Sequence, residues 1–317
     1  MSELLRGEPA GVPRARMMLQ RAHWAATAFS AYPVDAVAEI VEAVAEVAYQ
    51  NAERYAEWAV RESGMGVVEH KRIKNEACSR GIAEAYRGED FTSARIDADR
   101  RIVELPRPAG VVLALTPSTN PVCTVYFKVL LSLMTRNAIV VSPHPMAREC
   151  CVDAARLLAD AAVRAGAPDG CIQVVEEPTI PLIEALMADE TTDVIVATGG
   201  SAVVRAAYRS GNPAIGVGPG NVPVLVDASA DLARAARCIV DSKSFDNSIL
   251  CTNESVLIAE ERIADALERE LVKQGAHICS ADEAGLVRDT VFPDGHWRLD
   301  LIGRDAQTIA REAGIRV

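Results

Sequence analysis

No apolar run in this chain approaches the roughly 20 residues of a membrane span. Its start, Met1-Ser2-Glu3-Leu4-Leu5-Arg6, lacks the basic and apolar regions of a signal peptide, so a cytoplasmic location is the expectation. Cysteine is sparse: eight in 317 residues make no disulfide scaffold. There is no C-x-x-C pair, and Cys150 and Cys151 are adjacent on a predicted helix. The five histidines are scattered; His277 and Cys279 alternate, but two groups do not make a zinc site, and no metal is expected. An excess of positive charge is missing too. A formal charge of −11 argues against nucleic acid or a membrane surface as partner. It leaves room for an anionic cofactor, which helix N-termini and a few arginines can hold locally. Internal repeats and low-complexity tracts are absent.

What is present is a globular composition, half hydrophobic and about a quarter charged, in a chain long enough for two domains. Residues 13 to 88 read as helices. Val34, Val37, Ile40, Val41, Val44, Val47 and Ala48 recur at helical spacing, with Pro33 and Asp35 at the start. Trp24, Tyr32, Tyr49 and Tyr55 read as core or packing residues. From Arg101 the rhythm changes to short apolar runs alternating with helical ones. Strands are predicted at 102–105, 111–115, 138–142, 171–175, 193–197 and near 214–215, with helices over 122–136, 147–165, 180–188 and 201–209. This pattern predicts an α/β fold with a parallel sheet covered by helices on both faces. A second α/β unit is expected from about Val222, with strands at 222–227 and 255–259 and helices over 230–241 and 261–275. The expected division is 1–223, helices and a nucleotide-binding domain, and 224–317, a partial catalytic domain.

Three predicted strand-to-helix turns lie where open α/β sheets bind ligands. In Leu115-Thr116-Pro117-Ser118-Thr119-Asn120-Pro121, Asn120 is either an amide donor facing a cleft or an N-cap. In Ser142-Pro143-His144-Pro145, two prolines fix an extended turn, and His144 taken alone is a surface histidine. In Ala197-Thr198-Gly199-Gly200-Ser201, glycines opening a helix suit a phosphate. Gly216-Val217-Gly218-Pro219-Gly220-Asn221 looks like a dinucleotide fingerprint, but its sixth position is Asn221 and a strand follows, so that reading is rejected. Cys251, in Ser244-Phe245-Asp246-Asn247-Ser248-Ile249-Leu250-Cys251-Thr252-Asn253-Glu254, lies between a predicted helix and a predicted strand. Such a junction can present a thiol nucleophile beside free backbone N–H groups. The alternative is a buried structural cysteine.

Together these motifs, with Thr135-Arg136-Asn137-Ala138-Ile139 and Pro213-Ala214-Ile215, resemble the aldehyde dehydrogenase superfamily, specifically its CoA-acylating branch. The resemblance runs from about Arg101 to Val317, more weakly before. It implies Cys251 as nucleophile and Asn120, with the Cys251 backbone N–H, as the oxyanion pocket. It implies NAD or NADP as cofactor. Ser142, His144 and Pro145 would lie beside the adenosine and Gly199, Gly200 and Ser201 at the pyrophosphate, with Thr116, Pro117, Thr198 and Gly218 completing the cofactor site. Hydrolytic relatives place a glutamate near Val217 as base for water. Gly216 and Val217 cannot take a proton, so a thiol such as coenzyme A is expected to outcompete water for the thioester.

The implied activity is oxidation of a small-molecule aldehyde to acyl-CoA. The alternatives are a hydrolytic aldehyde or semialdehyde dehydrogenase and an inactive nucleotide-binding fragment of the fold. Relatives usually continue beyond the equivalent of Val317, so the catalytic domain is expected to be incomplete, with exposed apolar surface, and the full-length protein to form a homo-oligomer.

Overall fold

The structure, a computed structural model, describes residues 11–317. No helix among them is long and apolar enough to cross a membrane. The chain divides into two compact units: one takes the described residues up to Ser63 together with Lys71–Gly218, the other Gly64–His70 and Pro219–Val317. The observed break at 218/219 falls a few residues before the expected 223/224, and a short early segment joins the later unit.

The N-terminal helices are α1 (Val12–Phe29), α2 (Val34–Gln50), α3 (Ala52–Ser63), α4 (Val68–Glu76) and α5 (Ile82–Ala85), with a π-helical turn, Ala77–Gly81, before the last. Helix α1 buries Met18, Leu19, Ala22, Ala25, Ala26 and Phe29, one face at three-to-four spacing. Trp24 falls on the other face and is 68% exposed, which corrects its expected role as a core or packing residue. Tyr55 is buried as expected. Strands β1 (Arg95–Asp97) and β2 (Ile102–Glu104) form an antiparallel hairpin; β1 was not legible, because no apolar alternation marks it.

The first unit is built on a parallel sheet of β3 (Val111–Leu115), β4 (Ala138–Ser142), β5 (Ile172–Val174), β6 (Val194–Thr198) and β7 (Ala214–Val217), in the order β5-β4-β3-β6-β7. Its connecting helices are α6 (Pro121–Met134), α7 (Arg148–Arg164), α8 (Ile180–Ala188) and α9 (Ser201–Arg209). Every residue of β3 and β4 is buried, which requires cover on both faces. Helix α1 lies along β3, β4 and β5 and against α8, while α6 and α7 pack on each other and on α2. The strand order reverses at the β3–β6 pair, so the crevice at their C-terminal ends is the topological switch point where such sheets bind ligands.

In the second unit β8 (Val222–Val226) pairs in parallel with β9 (Glu254–Ala259). Helices α10 (Leu232–Ser244) and α11 (Glu261–Lys273) pack on each other, and α12 (Ala281–Val291) and α13 (Ala306–Glu312) follow. Its main core is small: Val226, Ala236, Leu267 and Leu271.

Candidate active site

The turns singled out in the sequence stand at the C-terminal ends of the first unit's strands. Thr116, just past β3, donates its N–H to Ser142 O at 3.0 Å. Thr116, Pro117 and Ser142 are buried. His144 and Pro145 are exposed beyond them, and His144 Nδ1 accepts the Met146 N–H at 3.2 Å. After β6, Thr198 and Gly199 are half-buried, and Gly200 and Ser201 are exposed at the opening of α9. Gly199 donates its N–H to Val217 O at 3.1 Å, tying this turn to β7. A Cβ on Gly200 would meet nothing within 4 Å. An open glycine before a helix whose first N–H groups have no intrahelical partner fits an incoming phosphate. Gly218 is half-buried, with open space where a Cβ would stand.

Asn120 sits at the N-cap position of α6 but makes no side-chain capping bond. That removes the simpler of its two readings. Its Oδ1 accepts from Lys74 Nζ at 2.5 Å, and its Nδ2 donates to Thr119 Oγ1 at 3.2 Å. Lys71 Nζ, one turn earlier on α4, donates to Thr119 O at 2.9 Å. Both lysines are buried. Cys123 is buried in α6 with its thiol 3.5 Å from Asn120 O, in line with packing within its helix. Below the crevice, Lys128 Nζ donates to Leu115 O at 2.7 Å and Val196 O at 2.8 Å, bridging the ends of β3 and β6. Burial pulls its pKa down to about 7.

Cys251 belongs to the second unit and is exposed, which overturns the buried structural alternative. The chain reaches it through three consecutive left-handed residues, Asp246, Asn247 and Ser248, with φ of 50°, 54° and 61°. Asparagine and aspartate tolerate that region better than most, yet three in a row store strain of the kind that gathers at functional sites. The segment is held by specific bonds. The fully buried Asp246 accepts the Val67 N–H at 2.7 Å, and its own N–H donates to His70 Nδ1 at 2.8 Å. The His70 ring stacks on Phe245 at 4.4 Å. Asn247 Nδ2 donates to Gly303 O at 2.8 Å, and Gly66 N–H donates to the same carbonyl at 3.0 Å.

Two glycines are dictated by this packing. Gly66 has φ +80°, and a Cβ there would stand 2.2 Å from Asp246 Oδ1. A Cβ on Gly220 would stand 2.7 Å from Cys251 O. Gly220, the last glycine of the run that imitates a dinucleotide fingerprint, thus permits close approach to the cysteine's own backbone. Lys71, Lys74, His70 and Gly66 were not legible as site residues, because Gly64-Met65-Gly66 and His70 carry no motif around them.

A model of the aldehyde dehydrogenase family matches residues 4–285. The chain belongs to the aldehyde dehydrogenase family. It is 41% identical over 291 residues to an aldehyde-alcohol dehydrogenase of Clostridium acetobutylicum, an alignment covering 91% of this chain and 33% of that protein. An acetylating aldehyde dehydrogenase from Geobacillus thermoglucosidasius superposes with a TM-score of 0.91 at 39% identity, covering 97% of this chain and 68% of that one. A propionaldehyde dehydrogenase of Rhodopseudomonas palustris, solved with bound propionyl-CoA, gives a TM-score of 0.85 at 32% identity over 96% of this chain and 69% of that one. The expected likeness to the CoA-acylating branch holds. The chain spans about a third of the curated relative and about two thirds of these solved neighbours.

Proposed function

We propose that this chain carries the nicotinamide-binding and thiol-bearing parts of a CoA-acylating aldehyde dehydrogenase. The observation that carries the reading is the exposed Cys251 thiol on a turn fixed by three left-handed residues and their buried hydrogen bonds. In this reading residues up to 223 hold the cofactor and residues 224–317 supply the nucleophile.

Cys251, as thiolate, adds to the aldehyde carbonyl, and the carbonyl oxygen becomes an oxyanion. The amide of Asn120 and the Cys251 backbone N–H donate to that oxygen, which favours the tetrahedral adduct over the free carbonyl. NAD or NADP held at these turns would supply the acceptor for the hydride that leaves the tetrahedral carbon. Cys251 then holds the acyl group as a thioester. The open backbone at Gly199, Gly200 and Ser201 suits the cofactor's pyrophosphate, and Ser142, His144 and Pro145 its adenosine side. The end of β7 offers Gly216 and Val217, which carry no proton acceptor, so solvent attack on the thioester is slow. The thiolate of coenzyme A attacks instead, expelling the Cys251 thiolate and restoring it. The reverse sequence reduces acyl-CoA to aldehyde with the same groups.

The test follows reduced nicotinamide with an aldehyde panel, each cofactor and coenzyme A present or absent. Turnover that requires coenzyme A, and that Cys251→Ala abolishes, supports the reading. Turnover to free acid without coenzyme A overturns it in favour of hydrolysis. Because the chain spans only part of its relatives, cofactor binding with no turnover would instead mark it as a nucleotide-binding module.

A further inference from the structure

The reaction as proposed uses the Asn120 amide but leaves two buried cations beside it without a role. Lys71 and Lys74 lie three residues apart on α4 and so share a face. They are 3% and 7% exposed. Lysine is seldom buried to this degree, since desolvating an ammonium is costly. Asn75, also buried, fixes the helix by donating from Nδ2 to Ala52 O at 2.9 Å, so the lysines project from a held backbone.

A primary amide has an acceptor end and a donor end of nearly equal shape, and packing alone distinguishes them poorly. An ammonium has three donors and no acceptor. Lys74 Nζ, 2.5 Å from Asn120 Oδ1, therefore admits one of the two amide orientations and forbids the other. Lys71 holds Thr119 O at 2.9 Å and so fixes the backbone that carries this amide. With Oδ1 committed to Lys74, the NH2 group points away from it. One of its hydrogens makes the long 3.2 Å contact to Thr119 Oγ1. An amide whose oxygen accepts from a cation is also polarised into a stronger donor. Turned over, the same side chain would offer a carbonyl oxygen to a developing anion, and attraction would become repulsion.

We propose that Lys74 is a positioning residue for oxyanion stabilisation: it holds Asn120 Oδ1 and so makes NH2 the donating end of the amide, with Lys71 fixing the adjoining backbone. The proposal rests on the reading of Asn120 as the oxyanion donor.

The test is a double-mutant cycle read in a single turnover of hydride transfer from aldehyde, with Lys74→Met, Asn120→Ala and the pair. Asn120→Ala is expected to slow transfer about 100- to 1,000-fold. Lys74→Met is expected to slow it on the order of 10- to 100-fold, with the KM for the nicotinamide cofactor unchanged. The double variant should match Asn120→Ala to within about twofold, because Lys74 acts only through that amide. A Lys74→Met rate equal to wild type, or a Lys74→Met penalty that persists undiminished on the Asn120→Ala background, overturns the positioning role. Asn120→Ala at wild-type rate instead sinks the reading of Asn120 itself, and the two failures are thereby told apart. If Lys74→Met does not fold, Lys74→Gln replaces it under the same criteria, since glutamine permits both amide orientations. A readout independent of turnover is the 15N resonance of the Asn120 side-chain amide. It should shift when the ammonium is removed, and an unmoved resonance also overturns the proposal.

Discussion

The parallel strands of the two units differ in how they are covered. In the first unit β3 and β4 are buried at every position and join one continuous core with α1, α2, α6 and α7. In the second, β8 and β9 leave Leu225 73% and Ile258 48% exposed, over a core of a few residues. The contrast separates two ways of fixing a functional group. The turns after β3 and β4, proposed for the cofactor, are held because they end fully buried strands, and bulk burial positions them. Cys251 stands beside a thin core, and its turn is held by individual bonds from Asp246, Asn247, His70 and Gly303. Bulk packing should therefore govern stability, and single polar contacts should govern the Cys251 thiol.

The sharpest attack on that contrast is Leu113→Ala. Leu113 is fully buried in the central strand. Leucine-to-alanine changes at such sites cost roughly 2–5 kcal/mol, from lost transfer energy and the cavity left behind. Urea unfolding should show that loss, with Cys251 alkylation in the surviving folded fraction unchanged. A cost below 1 kcal/mol would mean the first unit's core is not the main source of stability.

Gly66→Ala inverts the pattern. The new methyl meets the Asp246 carboxylate at a backbone φ of +80°. The left-handed conformation alone costs about 1–2 kcal/mol for alanine. The displaced carboxylate also loses its bond to Val67 N–H. The expected outcome is a fall in Cys251 alkylation rate of tenfold or more, with a stability loss smaller than that of Leu113→Ala. Gly220→Ala, pressing on Cys251 O, should act in the same sense. Alkylation at wild-type rate in both variants would show that the thiol does not depend on this packing.

The same contrast explains what could be read from the sequence. Strands 111–115 and 138–142 and helices 180–188 and 201–209 matched the structure to the residue, since burial on both faces leaves unbroken apolar runs and glycine or proline marks the ends. The resemblance brought out Cys251 and Asn120 because both lie in runs with recognisable neighbours. What escaped notice was supplied from far along the chain. Gly66 and His70 meet the Cys251 segment across some 180 residues of sequence, and Lys74 meets Asn120 across 46. No local period encodes a contact of that separation. Trp24, expected as a core or packing residue, departs for the opposite reason: the buried face of α1 is already filled by its neighbours.

A third experiment probes charge inside the first unit. Lys128 has its pKa pulled down to about 7 by burial, against about 10 in the unfolded chain. Below pH 7 both states carry the proton, and the folded state bears the full cost of a buried ammonium. Between about pH 7 and pH 10 only the unfolded state holds it, so stability rises with pH by at most roughly 1.4 kcal/mol per unit. Lys128→Met removes this proton. Its unfolding free energy should lack the rise that wild type shows between pH 7 and pH 9. Parallel profiles for the two proteins would show that the buried amine does not titrate in this window.

The smallest effect is expected at Leu225→Ala. Its side chain is 73% exposed on β8, so shortening it removes little buried area and opens no cavity. A change within about 0.5 kcal/mol follows, as for surface substitutions generally. Val226, the next residue, is 2% exposed and points to the opposite side of the strand. Val226→Ala should cost several times more. The ratio of the two measures how far the β8–β9 pair is covered on one face only. If Leu225→Ala proved as costly as Val226→Ala, the exposed face would be packed in solution against something other than water, and the supposed thinness of this unit would have to be given up.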